Sequence, residues 1–252
     1  MIDIQHPNGF HAIVNPDGAF VESWTAMNGT DLLFPRRTMP NGKNRGGIPV
    51  CAPIFGPGET AGLNQHGFAR NCQWGITSQN QSQVKLTLDN PASQVDGLPP
   101  VYAGCGLELT IELLENGLQE TLEVRNIGIE PFTANPAFHP YFPVLAGETA
   151  EQAKVVIDGR AHQIAADELI ATRKIDSISS EAQLVTTRGT WAISGGGLPL
   201  FAVWSESPRD FICVEPTESG YLTDNPASEI QPNETKIFTM TLQFFPAAEH
   251  IN

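Results

Sequence analysis

The residues whose types suit chemistry gather at three points in this chain. A run from Arg45 to Arg70 opens with Arg45-Gly46-Gly47-Ile48-Pro49 and closes with Gln65-His66-Gly67-Phe68-Ala69-Arg70. Further on come Phe138-His139-Pro140-Tyr141-Phe142 and Val214-Glu215-Pro216. Of six histidines, His66 and His139 sit among glycine, proline and aromatic residues of the kind that line a pocket. Glu215 follows the apolar run Phe211-Ile212-Cys213-Val214, which places it at a strand end. Partial burial there raises a carboxyl pKa and suits the group to general-base work near neutral pH. Arg45 and Arg70 carry planar forks that bind phosphate or adjacent hydroxyls through paired hydrogen bonds. Each residue also has a plain structural reading: a carboxylate paired with a loop arginine, arginines pinning loop carbonyls, histidines satisfied within the scaffold.

These groups need a rigid support. Between Arg45 and Arg70 the density of glycine and proline forbids a helix or a long strand and predicts an ordered loop. The remainder reads as short strands. Pro16-Asp17-Gly18 turns a first hairpin between Phe10 and Trp24, and Asp31-Leu32-Leu33-Phe34-Pro35 reads as a short strand. Cys72 to Thr77 and Val84 to Leu88 follow as strands; Leu107–Leu113 and Leu118–Val124 alternate about Glu115-Asn116-Gly117, the clearest hairpin in the chain. Phe132 to Phe142 is a strand running into the site, limited to an edge or irregular end by Pro136 and Pro140. Val155-Val156-Ile157 is a strand, and Ala165 to Ala171 makes a helical turn or two. Trp191–Ser194, Leu200–Trp204, Phe211–Val214 and Thr235–Phe244 complete the set. More than ten such strands, with no internal repeat or linker, predict one all-β domain over residues 1–252, a large β-sandwich or barrel.

Composition excludes several partners. With 28 acidic against 14 basic residues the formal charge is -14, which repels nucleic acid and anionic membranes, and no Lys/Arg run overrides it. Two or three arginines converging in one cleft still admit an anionic small molecule. The N-terminus lacks the basic segment and apolar core of a secretory signal, and no apolar run reaches membrane-spanning length. A cytoplasmic protein is expected. Cys51, Cys72, Cys105 and Cys213 stand singly without a CxxC pair, as buried reduced thiols would. Of Trp24, Trp74, Trp191 and Trp204, at least three are expected in the core, leaving the rest to stack on a ring.

Four stretches, in order, resemble the aldose 1-epimerase (mutarotase) superfamily, and within it the hexose-6-phosphate mutarotase branch. They are Arg45-Gly46-Gly47-Ile48-Pro49 with Phe55-Gly56, His66-Gly67-Phe68-Ala69-Arg70-Asn71, Phe138-His139-Pro140-Tyr141-Phe142, and Cys213-Val214-Glu215-Pro216. Residues 147–188 match the pattern poorly. The resemblance implies a large antiparallel β-sandwich with a sugar site in a cleft on one sheet. It implies Glu215 as base, His139 as acid, His66 at the ring-side hydroxyls or ring oxygen, and Arg45 and Arg70 facing a phosphate or the polar end of a sugar. It implies no metal or organic cofactor, a small sugar or sugar phosphate as ligand, and no protein partner.

Four other readings are open to the same residues. The fold could carry a non-catalytic carbohydrate-binding domain, or an epimerase for unphosphorylated aldoses. His66, His139 and Glu215 could form a two-histidine, one-carboxylate metal set. Glu215 with Glu218 or Asp224 could form the carboxyl pair of a glycoside hydrolase.

Overall fold

The computed structural model describes residues 1–145, 152–163, 172–206, 210–221 and 228–247. The hairpin read at Gly117 is the spine of the larger sheet. Cys105–Leu114 and Gly117–Asn126 pair antiparallel from Leu114↔Gly117 to Cys105↔Asn126. Glycine is required at the turn because a Cβ on Gly117 would lie 2.2 Å from the Leu242 carbonyl oxygen. The closing strand Thr235–Pro246 adds on the other side of Gly117–Asn126, and nine strands in all assemble into this sheet.

A second, six-stranded sheet packs against it. Its path runs Arg173–Asp176, Leu200–Trp204, Phe211–Thr217, Ala137–Phe138, Val50–Cys51, with Tyr141–Pro143 also paired to Phe211–Thr217. The strands of both sheets pair antiparallel, making an antiparallel β-sandwich. No helix among the described residues is long and apolar enough to cross a membrane.

Alternation decides which side chains form the core. Leu109 and Ile111 from the large sheet meet Phe201, Val203, Ile212 and Val214 from the small one in a single apolar cluster. Trp24, Trp74 and Trp191 lie in that cluster, whereas Trp204 is half-buried outside it. The four cysteines are buried free thiols.

Three local expectations differ from the structure. Asp31 to Pro35 is not a strand: Asp31 makes a single bridge to Thr25, and the amides of Leu32 and Phe34 donate to Trp24 and Tyr141 on different elements. The stretch Phe132 to Phe142 is three pieces, Phe132–Ala134, Ala137–Phe138 and Tyr141–Pro143, broken at Pro136 and Pro140, which lack the amide a ladder needs. Glu215 is not at a strand end, because the strand continues through Pro216 to Thr217. On one flank Pro216 faces Phe201; on the other the ladder lapses between Tyr141↔Cys213 and Ala137↔Thr217, so no pairing among the described residues runs through Pro216 on that side. The expected helical turn at Ala165 to Ala171 lies outside the described residues.

One inward position breaks the apolar pattern. Glu120, between Leu118 and Leu122 on the core face, is 0% exposed, and neither carboxyl oxygen has a hydrogen-bond partner among the described residues. Burial raises its pKa well above 4.5 and so favours the neutral form. Below pH 4.5 the folded and unfolded chains both hold this proton. As pH rises the unfolded chain releases it and the folded chain does not, so stability declines. Replacing Glu120 with methionine is expected to stabilise the protein by about 1–3 kcal/mol from the unpaired oxygens alone. The rise in melting temperature should be larger at pH 8 than at pH 4; an equal or reversed gain would show that the carboxyl is satisfied in the folded state.

Candidate active site

The strand Phe211–Thr217 is buried along its whole length and turns alternate side chains to opposite sides. Ile212 and Val214 enter the core, while Phe211 and Cys213 pack with Tyr141, Phe34 and Met39 in a separate cluster on the far side. Glu215 follows Cys213 on that side by the same alternation. Neighbouring strands repeat it: Phe201 and Val203 point to the core, Ala202 and Trp204 away from it.

The loop between Arg45 and Arg70 closes over this floor and is held mainly by backbone bonds. The amides of His139 and Tyr141 donate to the carbonyls of Pro49 and Gly47, each at 3.1 Å, and that of Asn135 to Pro53 at 2.8 Å. At its far end His66 and Gly67 both take left-handed conformations, φ 66° and 71°. A Cβ on Gly67 would stand 2.2 Å from the Ala52 carbonyl oxygen, the acceptor for the amides of Phe68 and Ala69, so only glycine fits. This turn presents the His66 ring, whose Nδ1 accepts the Gly56 amide at 3.0 Å. A neutral His66 therefore carries its proton on Nε2 as a donor. Burial, with Arg70 and Arg45 nearby, lowers its pKa to about 3, so it stays neutral at physiological pH.

His66, His139, Glu215, Arg45 and Arg70 all line one cavity of about 500 Å³. His139 Nε2 lies 3.5 Å from Glu215 Oε2, and both side chains are almost fully buried. His139 stacks on Tyr141 with ring centroids 4.8 Å apart and planes 8° apart; Trp204 and His66 meet it edge-on at 6.1 and 5.7 Å. Neither His139 Nδ1 nor Glu215 Oε2 has a hydrogen-bond partner among the described residues. Burial raises the Glu215 pKa well above 4.5, against the pull of Arg70. Burial, then His66 and Arg70, holds that of His139 well below 6.5. Burial thus favours the uncharged form of both groups. Moving one proton from Glu215 to His139 gives the carboxylate and imidazolium without change in total charge.

The two arginines are engaged differently. Arg70 donates to the Gln65 carbonyl oxygen at 3.0 Å, the carbonyl-pinning contact open to it from sequence, and has no acidic partner among the described residues. Arg45 forms a two-bond fork with Glu206. A smaller recess of about 250 Å³ shares Arg45, Arg70 and Tyr141 with the cavity.

Sequence reasoning left out several cavity residues: Lys43, Glu206, Thr172 and Tyr221. Glu206 had a legible signal, since it stands two positions beyond Trp204, as Trp204 stands beyond Ala202. Lys43, in a polar turn, had none. Among the described residues, the group that could hold a metal ion is His139, Cys213 and Glu215, whose donor atoms lie within 4.8 Å of one another; His66 is not in that set. Burial raises the Cys213 pKa well above 9.0, which opposes a free thiolate there. Glu218 does not line the cavity and accepts from Ser228 Oγ at 2.5 Å; Asp224 lies outside the described residues.

Known proteins resemble this chain in sequence and in fold. A curated protein of Escherichia coli (strain K12), "Putative glucose-6-phosphate 1-epimerase", is 28% identical over 192 residues, 75% of this chain and 58% of that protein. The match therefore spans less than two thirds of that relative's length. A protein of the same name from Cenchrus ciliaris is 28% identical over 246 residues, covering 79% of this chain and 72% of that one. A galactose mutarotase related enzyme from Lactobacillus acidophilus superposes with TM-score 0.81 at 16% identity over 100% of both chains. A galactose mutarotase-like protein from Lactobacillus casei ATCC 334 gives 0.78 at 17%, over 97% of this chain and 100% of that one. These two show that the fold is shared. The aldose 1-epimerase family model matches residues 1–196, and with the sandwich and its His–Glu cavity in place the chain belongs to the aldose 1-epimerase family.

Proposed function

We propose that this protein interconverts the α and β anomers of an aldohexose by acid/base ring opening and closure, and that its substrates are hexose 6-phosphates. One observation carries the reading: Glu215 and His139 stand 3.5 Å apart on the floor of a polar cavity, each with a buried atom that has no hydrogen-bond partner among the described residues. Anomer exchange needs two such groups. Glu215, as carboxylate, takes the proton of the C1 hydroxyl while His139, as imidazolium, gives one to ring oxygen O5, and the C1–O5 bond breaks. Rotation about C1–C2 turns the other carbonyl face toward O5. The O5 proton then returns to His139, Glu215 returns its proton to the carbonyl oxygen, and the C1–O5 bond reforms. The pair ends as it began.

The other cavity residues have supporting parts. His66, neutral with a proton on Nε2, donates to a sugar oxygen. Arg70 and Lys43, both lining the cavity, bring positive charge for a phosphate, in keeping with the names of the curated relatives. Trp204, half-buried at the wall with the Arg45 guanidinium over its ring, offers a sugar an apolar contact.

Three outcomes are expected. Glu215→Gln should keep its melting temperature within a few degrees and lose about 10³-fold in anomer exchange, read by NMR magnetisation exchange after subtracting the spontaneous rate; unchanged turnover would remove Glu215 from the chemistry. Arg70→Ala should raise KM for glucose 6-phosphate by about ten-fold and for glucose by much less, and equal effects would place the phosphate elsewhere. In a pH profile of kcat/KM, activity should fall on the acid side when the pair gains a second proton. Because burial opposes a charged His139, that limb should lie below pH 6.5. An acid limb above 6.5 would contradict the pairing.

A further inference from the structure

Arg45 enters the cavity with its best edge already used. Its Nε donates to Glu206 Oε1 at 2.8 Å and its Nη2 to Oε2 at 3.1 Å, the side-on fork of a guanidinium on a carboxylate. Nη1 donates to the Asn44 carbonyl oxygen at 3.1 Å, and the guanidinium carbon sits 5.1 Å from the Trp204 ring centroid. Of five N–H bonds, three are committed, leaving one on each Nη for a ligand. Each side chain of the pair is 17% exposed, so the attraction between them is only partly screened. Glu206 is also a wall of the cavity in its own right, and with Glu215 it is one of the two carboxylates there among the described residues.

We propose that Glu206 tempers the hold of this cavity on hexose 6-phosphates: it occupies the side edge of Arg45, cancels its charge, and lowers affinity for the phosphate group, which Arg70 and Lys43 still carry. The proposal rests on the mutarotase reading of this cavity. A phosphate group brought to Arg45 would compete with Glu206 for the same N–H bonds and would also face its negative charge. Arg70 and Lys43 have no acidic partner among the described residues and are left to carry the phosphate. Glu206 acts largely through Arg45, which makes it a positioning residue. Its effect belongs in binding and not in the chemical step.

The sign of the effect separates this role from its rival. Were Glu206 a brace that aims Arg45 at the phosphate, neutralising it would weaken sugar-phosphate binding; as a restraint, neutralising it strengthens binding. Glu206→Gln keeps the side-chain length and one acceptor for Arg45. Titration calorimetry with glucose 6-phosphate should show about a ten-fold lower Kd, with glucose changed less than about two-fold. KM for the phosphate should fall in parallel at nearly constant kcat. The double variant Arg45→Ala with Glu206→Gln should lose the gain. Weaker binding of glucose 6-phosphate in Glu206→Gln, or equal changes for both sugars, would overturn the proposal. Should that variant fail to fold, Glu206→Ser reads the same difference. Binding of the sugars without turnover would remove the mutarotase reading and leave the Kd ratio to decide the role of Glu206; binding of neither sugar would overturn both.

Discussion

A β-strand turns successive side chains to opposite sides, and in Phe211–Thr217 both sides are buried. Ile212 and Val214 help fill the sandwich, so the strand cannot shift by one residue without sending Cys213 and Glu215 into the core. That penalty fixes the position of the carboxyl. Packing of the core therefore aligns the site, and a substitution at Val214 would be felt on the side it does not face. The same division on Leu200–Trp204 sets the Trp204 ring against His139 and Tyr141.

The placement of Glu215 shows how burial alters a carboxyl's readiness. In water the group would be ionised at neutral pH and held by solvent. In this floor it has His139 at 3.5 Å and a raised pKa, so its proton is available to move between two nitrogen or oxygen acceptors. Glu120 is subject to the same burial effect without a partner. One buried carboxyl is paired and faces a cavity; the other is an unrelieved cost in the core. Their sequence neighbours differ: Glu215 follows the continuous apolar run Phe211–Val214, whereas Glu120 follows Gln119 in an alternating run.

Alternation made much of the scaffold legible. Leu107 to Leu113 and Leu118 to Val124 are written in period two about a glycine that the turn requires, and both pair as read. The site was legible where its residues sit in local motifs with a backbone reason: His66 beside Gly67 in successive left-handed conformations, His139 before a proline that ends the ladder. Where long-range packing decides, sequence misled. Leu32 and Phe34 have strand composition, but their amides reach two separate elements. Pro216 suggested a strand end because proline lacks a donor, but on one flank no pairing among the described residues runs through it. Lys43 sits in a polar turn that looks like ordinary surface, and only tertiary structure brings it to the cavity.

The Arg45 to Arg70 loop is fastened to its neighbours largely by main-chain amides and carbonyls: Pro49 to His139, Gly47 to Tyr141, Pro53 to Asn135, Ala52 to Phe68. Such fastenings are indifferent to most side-chain replacements, since every residue other than proline brings the same amide. The rim of the cavity can thus exchange residues while its outline persists. Preference for one sugar over another can drift across generations of sequence with the proton-handling floor left in place, as a lock keeps its cylinder while the pins are recut.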